Sequence, residues 1–185
     1  GMPAEELVDM SDKWVLSELA RTAAEVTANL DKYELGLAAE KLENFVWDIY
    51  CDWYIEICKS RLNGEDAQQA DTARKVLVWV LDKALKLLHP FMPFITEEIY
   101  QALPGSAETI MTQEWPDAGK MTAWPQECAD FEVLMDYIKA VRTIRNDMNV
   151  HPAKKTSMTI ETANPAAFQK GGAYLARFAF ATDVA

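Results

Sequence analysis

The sequence predicts an all-α protein: a bundle of four or five helices with a small α+β appendage at its C-terminal end. Three observations carry that expectation. Apolar residues recur at three- and four-residue spacing through most of the chain. The breaks in that pattern fall at Pro, Gly and Asn, the residues that stop helices. One short alternating stretch near the C-terminus supplies the only clear strand signal. Half of the 185 residues are hydrophobic, and at this length roughly 70% of the unfolded surface is buried on folding, so a real core can form.

Each element follows in order. Ser11 can cap a first helix that runs to about residue 30, with Leu16, Leu19, Ala23, Val26 and Leu30 on one face. Asp31-Lys32-Tyr33 interrupts it. A second helix spans 34–61 and is apolar nearly all round between Phe45 and Cys58, apart from Asp48, Asp52 and Glu56. Such a helix belongs in the middle of a bundle, with most of Trp47, Tyr50, Trp53 and Tyr54 as buried packing and base stacking as the other use of such rings. Asn63-Gly64 ends it. A third helix, 66–89, carries the stripe Ala70, Ala73, Leu77, Val80, Ala84, Leu87 and Leu88, and Pro90 stops it. Pro93 suits the first turn of a short fourth helix, 94–103. Residues 106–126 read as loop, with an extended piece at 109–112. A fifth helix, 127–149, turns Leu134, Tyr137, Val141, Ile144 and Met148 inward and ends before Pro152. Residues 156–161 alternate as a strand whose partner is expected beyond the chain's end, and a last helix covers 165–180. The domains drawn from this are 1–150, the bundle, and 151–185, the strand–helix appendage.

Composition narrows the function classes. The net charge is −11. Acids exceed bases by 13 to 5 over residues 1–60, whereas residues 132–185 hold 5 acids and 7 bases. That balance argues against nonspecific DNA binding and puts any nucleic-acid contact in the C-terminal third. No run of about 18 apolar residues exists to span a membrane, and the N-terminus lacks a signal peptide's basic and apolar regions. Gly1 before Met2 reads as a residue left by a protease site, so a segment of a longer protein is expected. Cys51 and Cys58 lie seven residues apart on one helix, about 10 Å along its axis, too far for a disulfide. Three reduced thiols in the cytoplasm are expected.

Catalytic patterns are missing. The two histidines, His89 and His151, each sit beside a proline at a helix end, and no glycine-rich phosphate loop is present. A di-metal bundle needs Glu three residues before His; Lys86 and Met148 stand there instead. No catalytic residue and no metal site is expected. The acids Asp48, Asp52 and Glu56 repel one another on one helix face, which basic partners on a neighbouring helix would relieve.

The binding candidates are basic. Lys139, Arg142 and Arg145 recur every three residues on the fifth helix with Asn146 beside them, and Lys154 and Lys155 follow. Such side chains reach phosphates, and Arg and Asn also read base edges. The plain alternative is the solvated outer face of an ordinary helix. Trp14 sits beside Lys13 in the first turn of the first helix, where a ring can stay partly exposed and stack a base.

Four segments resemble a known family. Ser11-Asp12-Lys13-Trp14-Val15-Leu16 resembles the D-[KR]-W-I-L segment that opens the anticodon-binding domain of class I aminoacyl-tRNA synthetases for Val, Ile and Leu. The run from Phe45 to Glu56, with Cys51-Asp52-Trp53-Tyr54 at its centre, is similar to the valyl type. Leu87-Leu88-His89-Pro90 through Pro93-Phe94-Ile95-Thr96-Glu97-Glu98 resembles a stretch shared across the subgroup. Arg142-Thr143-Ile144-Arg145-Asn146-Asp147-Met148-Asn149-Val150 resembles the valyl R-x-I-R-x-E-M-N-V segment. The matches come in family order over residues 10–155. Tyr50, Tyr100 and Asp147 replace the usual Phe, Trp and Glu.

The resemblance implies recognition of the valine tRNA through its anticodon loop, whose middle base is A and third base C. It implies a parent valine–tRNA ligase whose ATP and Mg chemistry belongs to a catalytic domain outside this chain. No cofactor is expected in this chain, which would pack on that domain in a monomeric protein. The site residues it implies are Lys13, Trp14, Arg142, Arg145 and Asn146. The competing readings are an isoleucyl or leucyl domain of the same kind, or a stand-alone helical domain that binds another protein.

Overall fold

A computed structural model describes every residue except Gly1, Ala4, Pro152, Ala163, Asn164 and Ala185, and the chain divides into two units, Gly1–Trp124 and Pro125–Ala185. The division falls at 124/125 instead of 150, so the fifth predicted helix groups with the appendage. The readings of Gly1 as a leftover residue and of Pro152 as a helix stop lie outside the described residues.

In the first unit, α1 (Met10–Asp31) is capped by Asp9 rather than Ser11. Asp9 Oδ1 accepts from the Asp12 amide at 3.0 Å, and Asp12 Oδ2 accepts from the Asp9 amide at 3.1 Å. This reciprocal box uses two carboxylates at a helix N-terminus, where negative charge is favoured. Ser11 instead donates to Asp9 Oδ1 at 2.7 Å.

After a three-residue turn, α2 (Leu35–Asn44), a π-helical stretch (Phe45–Ile55) and α3 (Glu56–Leu62) follow as one unbroken helical run. The predicted extent is right, but the expected all-round burial is not. Phe45, Tyr50, Tyr54, Ile57 and Cys58 face the core, Trp53 is only half-buried, and Trp47 is 61% exposed. The wider π turn rotates the chain less per residue than an α turn, so the aromatic run cannot be placed on faces by a 3.6-residue count. Asp48 and Asp52 face solvent, and Glu56 pairs with Lys59 on its own helix.

Asp66 caps α4 (Ala67–Leu88) through the amides of Gln68 and Gln69 at 3.0 and 3.1 Å. Pro93 opens α5 (Pro93–Gln101), as its fixed φ and missing N–H allow. The expected extended piece at 109–112 is a single 3-10 turn, Ile110–Thr112. Glu97 on α5 holds it by accepting from Thr109 Oγ1 at 2.8 Å. Ile110 then joins Leu85 and Tyr100 in a small satellite core. The connection returns along α1, where Trp115 Nε1 donates to Thr27 Oγ1 at 2.9 Å and the Trp124 amide donates to Ser17 Oγ at 2.8 Å.

In the second unit, α6 (Pro125–Asp147) is followed by β1 (Thr156–Met158), α7 (Pro165–Phe178) and β2 (Ala181–Val184). The predicted strand finds its partner inside the chain: β1 pairs with β2 in parallel, and α7 supplies the crossover that parallel pairing demands. Phe131 meets Tyr174 and Tyr137 meets Phe168 edge to face, with centroids 5.3 and 5.5 Å apart.

Gly171 lets α7 approach α6. A Cβ there would lie 2.1 Å from Leu134 Cδ1 and 3.1 Å from its Cγ, and Leu134 is fully buried. Gly171→Ala is therefore expected to destabilise the second unit by about 1–3 kcal/mol despite its gain in helix propensity. Gly172→Ala, with nothing within 4 Å of the new methyl, should stabilise by roughly 0.5–1 kcal/mol. Urea melts of both variants check the contrast, and equal midpoints would refute the tight crossing.

No helix of the described residues is long and apolar enough to cross a membrane.

Candidate nucleic-acid interface

Lys41 pairs with Glu25 and Arg61 with Asp12, so the helical run from Leu35 to Leu62 is antiparallel to α1. The Tyr50 hydroxyl donates to Leu77 O across the return after 63–66, so α4 runs in the same direction as α1. Their C-terminal turns, and the start of α5, therefore gather at one end of the first unit.

Two aromatic rings stand out into solvent there. Tyr33 is 88% exposed and Phe94 is 90% exposed. Tyr33 occupies the left-handed position that ends α1, with φ +61°. Its amide donates to Leu30 O at 3.0 Å, and the Glu34 amide donates to Asn29 O at 2.8 Å. This is a Schellman end with a bulky residue where Gly is usual. A bulky side chain at positive φ carries strain, and such residues concentrate at functional sites. Phe94 is presented by a different route. Thr96 and Tyr100, four residues apart, form the buried side of α5, and Phe94 lies on the opposite side. Thr96 is fixed by its hydroxyl, which donates to Met92 O at 2.8 Å and lies 2.8 Å from His89 Nδ1. Lys32 beside Tyr33 is exposed. Exposed rings flanked by a cation are what unstacked RNA bases bind.

The sequence-predicted residues fall in both units, Lys13 and Trp14 in the first and Arg142, Arg145 and Asn146 in the second. Trp14 is 2% exposed, which corrects the expectation of a partly free ring: the indole is core packing. Lys13 is half-buried, with Nζ 5.8 Å from the centroid of Trp124. Both stand in the first turn of α1, at the end opposite Tyr33.

On α6, the basic stripe lies on the same side as the buried face. Ile138, Arg142 and Arg145 follow at i, i+4 and i+7, continuing the face of Phe131, Leu134 and Met135, while Ile144 and Met148, expected to point inward, are exposed. Arg142 Nε donates to Phe178 O at 2.8 Å, and its guanidinium covers the rings of Phe178 and Phe180 at 5.7 and 5.8 Å. Desolvation there lowers its pKa. Arg145 donates to the carbonyls of His151 and Lys154 and covers the Phe180 ring at 5.6 Å. The two arginines tie α6 to the segments around β1 and β2. Asn146, Lys154 and Lys155 are exposed.

Sequence reasoning missed Tyr33 and Phe94. The available signals were a large aromatic at the helix-ending position and a Phe directly after the N1 proline.

The helical architecture with its bundle-end rings has a family to which it answers. Residues 12–160 match the anticodon-binding domain of tRNA ligases, and the chain belongs to that family. Its relatives narrow the type. It is 44% identical over 170 residues to the valine–tRNA ligase of Bacillus licheniformis, covering 89% of this chain and 19% of that protein. It is 46% identical over 164 residues to the valine–tRNA ligase of Carboxydothermus hydrogenoformans, covering 89% and 18%. The Geobacillus stearothermophilus valine–tRNA ligase is 43% identical over 187 residues, covering 96% and 21%. The chain thus spans about a fifth of the length of these relatives.

Proposed function

We propose that this chain is the tRNA-recognising domain of a valine–tRNA ligase and that it receives anticodon-loop bases at the bundle end carrying Tyr33 and Phe94. The observation that carries the reading is this pair of almost fully exposed rings, one held at positive φ, within a chain of the anticodon-binding family. Each ring offers a face to one splayed base, and Lys32 offers a phosphate contact. ATP-dependent attachment of valine belongs, on this reading, to parts of a longer protein outside this chain. The exposed apolar side chains of Ile95 and Ile99 on α5 fit packing against that catalytic part. A monomeric cytoplasmic protein is the accompanying proposal.

The test is a titration with a valine-type anticodon stem–loop and an isoleucine-type control at low and moderate salt. The valine loop should bind preferentially, and salt should weaken it. Tyr33→Ala and Phe94→Ala should each lower affinity by about 1–3 kcal/mol, the contribution of one base–aromatic stack, without moving the melting temperature. Unchanged affinity in both variants would refute the ring platform. Equal binding of the two loops would refute the valine assignment.

A further inference from the structure

Beside α4 lies a pocket of about 350 Å³, the size range of small-ligand sites. One wall is the α4 face bearing Arg74, Lys75, Trp79 and Asp82; the other is Tyr100 on α5 with the turn through Gly105 and Ser106.

The charge of this wall runs against that of its surroundings. The first unit is strongly acidic, yet α4 carries Arg74, Lys75, Lys83 and Lys86 against only Asp71 and Asp82. Asp82 is taken up by Lys83 at 3.1 Å and Lys86 at 2.9 Å. Lys75 pairs with Asp71 at 2.7 Å in an exposed pair that contributes little. Arg74 makes no ion pair or hydrogen bond among the described residues, so its whole guanidinium fork is available at the rim. Behind it stands the half-buried Trp79 indole, with Lys83 Nζ over its ring at 5.6 Å, so that a base takes the side of the ring that Lys83 leaves open. A fork of donors suits a phosphate, and an indole face suits a base. A neutralised carboxylate beyond them keeps lone pairs for a base's amino group.

We infer that this pocket is a subsite for one phosphorylated nucleotide, with the phosphate on Arg74 and Lys75 and the base against Trp79. That nucleotide is either free or part of a tRNA strand. Phe94 and Tyr100 are six residues apart on α5, about 9 Å along its axis, so a strand at the platform has the pocket within reach. The strand as source rests on the anticodon reading above; the chemistry of the pocket does not.

The test reads the Trp79 indole N–H resonance of the whole chain, assigned by its loss in Trp79→Phe, during separate titrations with AMP, adenosine and a valine-type tRNA transcript. AMP should shift the resonance saturably, adenosine should bind more weakly, and Arg74→Ala should weaken AMP by about tenfold, the scale of one charge-assisted contact. A shift with tRNA alone supports the pocket and makes the strand the source. An unmoved Trp79 with both AMP and tRNA, while tRNA still shifts Lys32 and Tyr33, overturns the subsite and leaves the anticodon reading standing. A Trp79 shift with AMP and no response anywhere to tRNA supports the subsite and removes the anticodon reading.

Discussion

Arg61→Ala is expected to cost about 3–5 kcal/mol of stability, the range for breaking a buried ion pair from one side. Asp12 and Arg61 are both buried, Asp12 completely. Arg61 grips the carboxylate with both terminal nitrogens, Nη1 to Oδ1 at 2.6 Å and Nη2 to Oδ2 at 2.9 Å. Tyr54 donates to the same Oδ1 at 2.6 Å, and Asp9 Oδ2 approaches Nη1 at 3.1 Å. One side chain thus joins the start of α1 to the end of α3. Removing it strands a carboxylate in the interior with Asp9 as a like-charged neighbour. Urea unfolding of the variant measures the effect, and a loss below about 1 kcal/mol would mean the pair is solvated and dispensable.

The same contact has a pH signature. Burial pushes the Asp12 carboxyl above the usual carboxylate range, and Asp9 adds to that, while Arg61 and Tyr54 pull the other way. Without Arg61 the pKa rises further. The native state then holds a proton that the unfolded chain has already lost. Stability therefore falls as pH rises from the ordinary carboxylate pKa through the raised one. The deficit of Arg61→Ala relative to the parent chain should shrink as pH is lowered toward the ordinary carboxylate range. A pH-independent deficit would place its cause in lost packing rather than in a stranded charge.

Trp14→Ala should cost about 3–5 kcal/mol as well, as for a buried indole. The measurement separates two roles for one residue. With the ring 2% exposed, the loss appears in the unfolding midpoint. Trp47→Ala, removing a ring 61% exposed, should move stability by less than about 0.5 kcal/mol. If Trp14→Ala melted like the parent but bound RNA more weakly, the ring would be a contact residue and its burial would be wrong.

The helices were legible from the chain because what makes them is local. Three- and four-residue apolar spacing, Asp66 before α4, Pro93 at the start of α5 and Asn63-Gly64 after α3 act within a turn or two of themselves. The family was legible from contiguous motifs for the same reason. What the chain did not disclose is which way each helix faces. A broad apolar stripe leaves its rotation to the neighbours it packs against. On α6 the buried face is the one that continues into Arg142 and Arg145, where the Phe178 carbonyl and the Phe180 ring take up their guanidinium groups.

The candidate site divides along the same line. From sequence alone came the order of the helices and the family's segments. Only the tertiary structure withdrew Trp14 into the core, brought Asp12 to Arg61 across 49 residues, paired β1 with β2, and gathered Tyr33 and Phe94 at one end. Each of these is a contact or an exposure between segments distant in the chain. Their energy depends on what lies opposite, and a local pattern does not record that.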